Sequence, residues 1–193
     1  KCNKIISVEG SPTTYKKLLN NIRNKNIVCL NYVVCNNNLQ DITFYNVINN
    51  GHNPLSTMNK DWLSNNDYRF GNGEIKYEEI SCKSITIDKL IEIYGIPELI
   101  KVDVEGGEYE CITSLTHKVN DLCFEWACEV NHITYKCLDY LYKLGFTQFY
   151  LQYRDEYTFR PQIREYTDIN SIKNILSAGN FEKKKNWGMI WCK

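Results

Sequence analysis

No apolar run in this 193-residue chain approaches the ~20 residues that a membrane-spanning helix needs. Neither sign of charge is in excess: Lys plus Arg number 23 and Asp plus Glu number 23. A chain so balanced lacks the general electrostatic grip that nucleic acid or an anionic membrane surface demands, so neither is expected as a partner. There are 9 cysteines but no Cys-x-x-Cys pair, so a zinc ribbon is not indicated. Their number is odd, and most fall in apolar segments such as Ile27-Val28-Cys29-Leu30. That pattern points to buried free thiols in a reducing compartment and away from a disulfide scaffold. Lys1 to Val8 is short for a signal peptide and lacks a cleavage pattern, so a cytoplasmic protein is expected. No internal repeat or domain-splitting linker is visible, and 43% apolar with 24% charged residues is globular composition. One domain over residues 1–193 is the expectation.

What is present alternates strand and helix. Ile5-Ile6-Ser7-Val8 is a short apolar run ending at Glu9-Gly10. Ser11 then reads as a helix N-cap with Pro12 at the first helical position, and Tyr15, Leu18, Leu19 and Ile22 recur at helical spacing. Ile27 to Val34 is apolar almost throughout, as suits a strand buried on both faces of a parallel sheet. Asp41 to Val47 alternates as a more exposed strand, and 48–75, rich in Asn, Gly and Ser, reads as a long surface loop. Ile80 to Thr86 is a further strand, Ile87 to Tyr94 a helix stopped by Gly95 and Pro97, and Leu99 to Val104 a strong strand. A helix to about Leu115, a strand over Leu122–Ala127, and a helix over Ile133–Leu144 follow. A strand over Phe146–Tyr153, a helix over Asp168–Ala178 and a strand over Trp187–Cys192 complete the chain. Such alternation predicts an α/β sandwich with a mainly parallel sheet.

In an open parallel sheet, ligands bind beyond the carboxyl ends of the strands. Glu9 closes the first strand, where a carboxylate can accept two hydrogen bonds from a ribose diol; it equally suits a charge favouring the macrodipole of the next helix. Lys101, Asp103 and Glu105 share one face of their strand, with Ile100, Val102 and Val104 on the other. Three ionisable groups on one face of an apolar strand need pairing or water. They fit a site at the ligand edge or a structural ion cluster. Gly106 and Gly107 would let backbone approach a ligand closely, and Glu108 reads as the start and cap of the next helix. Glu125 ends the following strand, and Glu129-x-x-His132 offers a weaker metal pattern, broken because Asn131 starts the helix.

These residues, in this order, resemble the FkbM family of S-adenosylmethionine-dependent methyltransferases. The likeness lies in Val8-Glu9-Gly10-Ser11-Pro12, Leu18-Leu19-Asn20-Asn21 and Val33-Val34-Cys35-Asn36. It is strongest in Ser84-Ile85-Thr86-Ile87-Asp88-Lys89-Leu90 followed by Ile100-Lys101-Val102-Asp103-Val104-Glu105-Gly106-Gly107-Glu108, and continues at Phe124-Glu125 and Gly145-Phe146. The resemblance implies a three-layer, Rossmann-like class I methyltransferase sheet, mainly parallel with an antiparallel C-terminal strand, Trp187–Cys192, beside Phe146–Tyr153. It implies S-adenosyl-L-methionine as cofactor, held by Glu9, Gly10, Ser11, Val34, Cys35 and Asp103. The chemistry falls to Asp103, Glu105, Lys101 and Glu125, and the acceptor is a hydroxyl of a sugar, glycan or secondary metabolite. No metal is expected, a divalent cation between Asp103 and Glu125 being the less favoured alternative. The family's first strand and Gly-rich loop have no counterpart before Glu9, and Gly71-Asn72-Gly73 lies in the long loop. An N-terminally truncated enzyme is therefore expected. The alternative is a non-catalytic, methyltransferase-like binding module that has lost cofactor binding.

Overall fold

The computed structural model describes residues 3–48, 55–64, 75–156, 159–178 and 186–193. Gly71-Asn72-Gly73 lies outside them. The chain opens with β1 (Ile5–Val8), α1 (Pro12–Asn21), β2 (Ile27–Leu30), β3 (Val33–Val34) and β4 (Asp41–Val47). It continues through α2 (Lys60–Ser64), β5 (Tyr77–Ile85), α3 (Ile87–Tyr94), β6 (Leu99–Val102), α4 (Glu108–Ile112) and β7 (Asp121–Ala127). It closes with α5 (Asn131–Lys143), β8 (Phe149–Tyr153), α6 (Ile169–Ser177) and β9 (Trp187–Cys192).

Ser11, Pro12 and Gly95 act as expected. The Ser11 hydroxyl accepts from the Thr14 amide with Pro12 in the first turn. Thr86 caps α3 through the Lys89 amide, and Asp168 caps α6 through the Asn170 and Ser171 amides. Gly95 ends α3 at φ +90°, in the left-handed region that glycine enters without strain.

The sheet arrangement departs from the expectation. In place of one mainly parallel sheet, the described residues form three, of mixed direction: β1-β2, β3-β5-β4 and β6-β7-β9-β8. β1 with β2, β3 with β5, and β6 with β7 are parallel, whereas β4 with β5 and β9 with both β7 and β8 are antiparallel. The last strand lies beside β8, as expected, and is wedged between it and β7. The expected strand over Ile27–Val34 breaks at Asn31-Tyr32. There the Asn31 side chain donates through Nδ2 to the Glu9 and Gly10 carbonyls (2.7 and 3.1 Å), turning the chain so that β3 pairs with β5.

β7 is buried along its whole length. Leu122, Phe124 and Trp126 join Cys192, Ile190 and Phe149 in a core that takes in Cys111, Ile112, Cys137, Leu138, Leu141, Ile172 and Leu176 of α4, α5 and α6. The opposite face carries Cys123, Met189 and Trp191, packed against Tyr150, Phe159 and Tyr166. β1 and β6 are edge strands among the described residues, and both are only partly buried. Lys4 Nζ, just before β1, lies 4.8 Å from the Tyr94 ring at the end of α3, and the far ends of β1 and β6 line one cleft.

The described cysteines are all free thiols; Cys35, Cys82, Cys111, Cys123, Cys137 and Cys192 are buried. No described helix is long and apolar enough to cross a membrane.

Candidate active site at the strand ends

The cleft is lined by Val8, Glu9 and Gly10 from the end of β1, Val33 and Val34 of β3, and Asp103, Val104 and Glu105 from the end of β6, with Met58 among its other walls. Glu9 is half-buried. Its Oε1 accepts from the Ser11 amide at 2.7 Å, and among the described residues nothing donates to its Oε2. Burial pushes the Glu9 carboxyl above its usual range, and the Ser11 amide pulls part of the way back. A half-buried carboxylate with one oxygen unused, beside a glycine, fits a ribose diol.

The other residues expected to hold a cofactor divide by position. Gly10, Val34 and Asp103 line the cleft. Ser11 and Cys35 are buried at 1% exposure. The Ser11 hydroxyl donates to Asn46 Oδ1 at 2.6 Å, and the Cys35 amide donates to the Ile85 carbonyl at 3.1 Å.

The strand-end acids come together. Asp103, Glu105 and the buried Glu125 each offer a carboxylate oxygen, all within 4.8 Å of one another. That spacing could hold a hard divalent cation, which takes oxygen ligands. Lys101 Nζ lies 3.1 Å from Asp103 Oδ2 and 2.6 Å from Asp155 Oδ2. Burial pulls the Lys101 ammonium down, but its bond to Asp155 and the charge of Asp103 outweigh that, holding it above the usual lysine value. Asp155 was not apparent from sequence, because its pairing depends on the chain crossing the sheet after β8. Glu129 stands in a short 3-10 turn, where it accepts from the Cys128 thiol (3.3 Å).

The turn after β6 was misread in one respect. Gly106 and Gly107 admit protein side chains where backbone access for a ligand was expected. A Cβ on Gly106 would lie 2.3 Å from Trp62 Cδ1, and one on Gly107 would lie 3.0 Å from Met58 Cγ. The stretch read as surface loop thus includes a covering segment, 55–64, with Trp62 and Leu63 buried. It is fastened to β4 by the paired Tyr45 and Thr57 backbones and reaches the turn through side chains: Thr57 Oγ1 donates to the Glu105 carbonyl (2.6 Å) and Asn59 Nδ2 to the Gly106 carbonyl (2.9 Å). A large buried aromatic at Trp62 was the one sequence signal for it.

Residues 1–161 match the family described as Methyltransferase FkbM domain. No curated protein and no solved structure matches the chain.

Proposed function

The chain belongs to the FkbM methyltransferase family, and from that premise we propose that it transfers a methyl group from S-adenosyl-L-methionine to a hydroxyl oxygen of a small-molecule or glycan acceptor. The observation that carries the reading is the convergence of Glu9 with Asp103 and Glu105 on one cleft, with Glu125 beside the acids. The cofactor, when bound, supplies a methyl already electrophilic on its sulfonium. Glu9 holds the ribose through its unused oxygen, and the backbone of Gly10 and Val34 shapes the same wall. Asp103, at the mouth of β6, orients the acceptor hydroxyl and takes its proton as the oxygen–carbon bond forms. Glu105 and Glu125 flank Asp103 and fix where that hydroxyl stands. Lys101 balances the charge of Asp103 and Asp155. Neither nucleic acid nor membrane enters the reading, and the cytoplasm is the proposed location.

Calorimetry with S-adenosylhomocysteine tests the cofactor half. The full-length protein binds it, and Glu9→Gln there weakens binding by about 1.5–3 kcal/mol, the range for a charged hydrogen bond. Equal affinity removes Glu9 from the site, and no binding by the unsubstituted full-length protein favours a binding module over an enzyme. Asp103→Asn, nearly isosteric, should cut turnover by about 10²-fold with its melting curve intact. Full activity there makes the acid cluster structural.

A further inference from the structure

Glu108 is a buried charged group that the proposed chemistry leaves unused. A glutamate in the first turn of a helix ordinarily stays in water and complements the macrodipole. Glu108 instead is 2% exposed, its side chain folded back under the turn that precedes α4. Its Oε1 accepts from the Val104 amide at 3.3 Å and the Gly106 amide at 3.2 Å. Glu105 lies between them at φ +55°, followed by Gly106 at φ +84°. A non-glycine residue in the left-handed region persists only where its surroundings over-determine it. Here they do so from two sides, since Thr57 and Asn59 hold the Glu105 and Gly106 carbonyls while Glu108 holds the flanking amides.

We propose that Glu108 is a positioning residue: its buried carboxylate holds the Val104–Gly106 backbone in the one conformation that sets the Asp103 and Glu105 side chains together beside Glu125. The proposal rests on reading those acids as the site. An ionised acceptor makes the stronger bond to an amide, which is the advantage of a carboxylate over a neutral side chain there. Burial raises the Glu108 carboxyl to about 7, with its amide donors pulling down and Asp103 pushing up. Cys111 of its own helix and Cys137 of α5 also face it; burial keeps both thiols protonated, so neither adds charge near neutrality. The grip on the turn therefore tightens as pH rises through neutrality.

The test follows backbone amide and side-chain carboxyl resonances of isotopically labelled protein between pH 5.5 and 8.5. In the unsubstituted protein the Val104 and Gly106 amides should titrate together near pH 7. In Glu108→Gln that titration should vanish, Gly106 amide exchange should quicken by about 10-fold or more, and the Asp103 and Glu105 carboxyl resonances should move. Val104 and Gly106 amides that exchange as fast as unprotected backbone in the unsubstituted protein overturn the proposal, even if the variant fails to fold. Unmoved Asp103 and Glu105 carboxyls in a folded variant overturn it too, since a merely structural Glu108 would leave them in place. None of these readouts needs turnover, so loss of the acid-site reading through Asp103→Asn stays distinguishable from loss of this one.

Discussion

Placing a methyl group on Gly106 is the sharpest perturbation of the site. In Gly106→Ala two costs add. The residue sits at φ +84°, where a Cβ crowds its own backbone at about 1–2 kcal/mol. The new Cβ also meets Trp62 at 2.3, 2.5 and 2.8 Å, from Cδ1, Cγ and Cβ, where carbon contacts relax only at about 3.5–4.0 Å. Trp62 is 2% exposed and cannot swing into solvent, so the overlap resembles core overpacking at about 1–3 kcal/mol. The stiffer unfolded chain returns about 0.4–1 kcal/mol. A net loss of about 2–4 kcal/mol is expected from urea unfolding at constant slope, a large share of the stability of an ordinary domain. In a Trp62→Gly background all three atoms are gone, and the same substitution should cost only the backbone part less the same unfolded-chain return, about 1 kcal/mol. Equal costs in both backgrounds, or a cost below about 0.5 kcal/mol in the natural one, would refute the close approach of Trp62 to the turn.

Ser11→Ala should lower stability by about 2–3 kcal/mol, because it removes both a helix cap and the buried donor to Asn46; a melting temperature within a degree of the natural protein's contradicts this. Lys101→Met should lower thermal stability, because it leaves the Asp103 and Asp155 carboxylates without the cation they share. An unchanged melting curve detaches Lys101 from the acids. Glu108→Gln should be stabilised relative to the natural protein as pH rises. With its carboxyl at about 7 when folded and near 4.5 when unfolded, Glu108 contributes stability below pH 4.5 that is lost by the time pH passes 7. The gap between variant and natural protein should widen by up to about 3 kcal/mol between pH 5 and 8. A constant gap in thermal melts places that carboxyl in its ordinary range.

The capped helices and the apolar strands were legible because their causes are local. Ser11-Pro12 and Gly95 act within three or four residues of themselves, and β6, β7 and β9 are dense apolar runs. The break between β2 and β3 was not legible, since it depends on Asn31 reaching the Glu9 and Gly10 carbonyls, more than 20 residues back. Gly106 and Gly107 did signal close approach, but not what approaches: Trp62 and Met58 belong to a segment whose own composition reads as loop. The acids were identifiable by strand alternation. Glu108 was taken for a helix cap because burial of a first-turn carboxylate is decided by the turn it underlies, which no spacing rule records.

The buried thiols have a practical consequence. Burial pushes the Cys123 thiol up to about 12 and those of Cys82, Cys111, Cys137 and Cys192 upward as well, so at neutral pH an alkylating reagent finds almost no thiolate while the fold is closed. Each modification then records an opening event. The cysteines are distributed so that the openings can be told apart: Cys111 and Cys137 belong to the helix-covered core, Cys123 to the opposite face of that sheet, and Cys82 to the cluster with Val33 and Phe44. Alkylation followed site by site by mass spectrometry would time the loosening of three separate regions in the unlabelled, unsubstituted chain. The chain carries its own set of clocks, and the one at Cys111, three residues from Glu108, reads the short helix that follows the turn after β6.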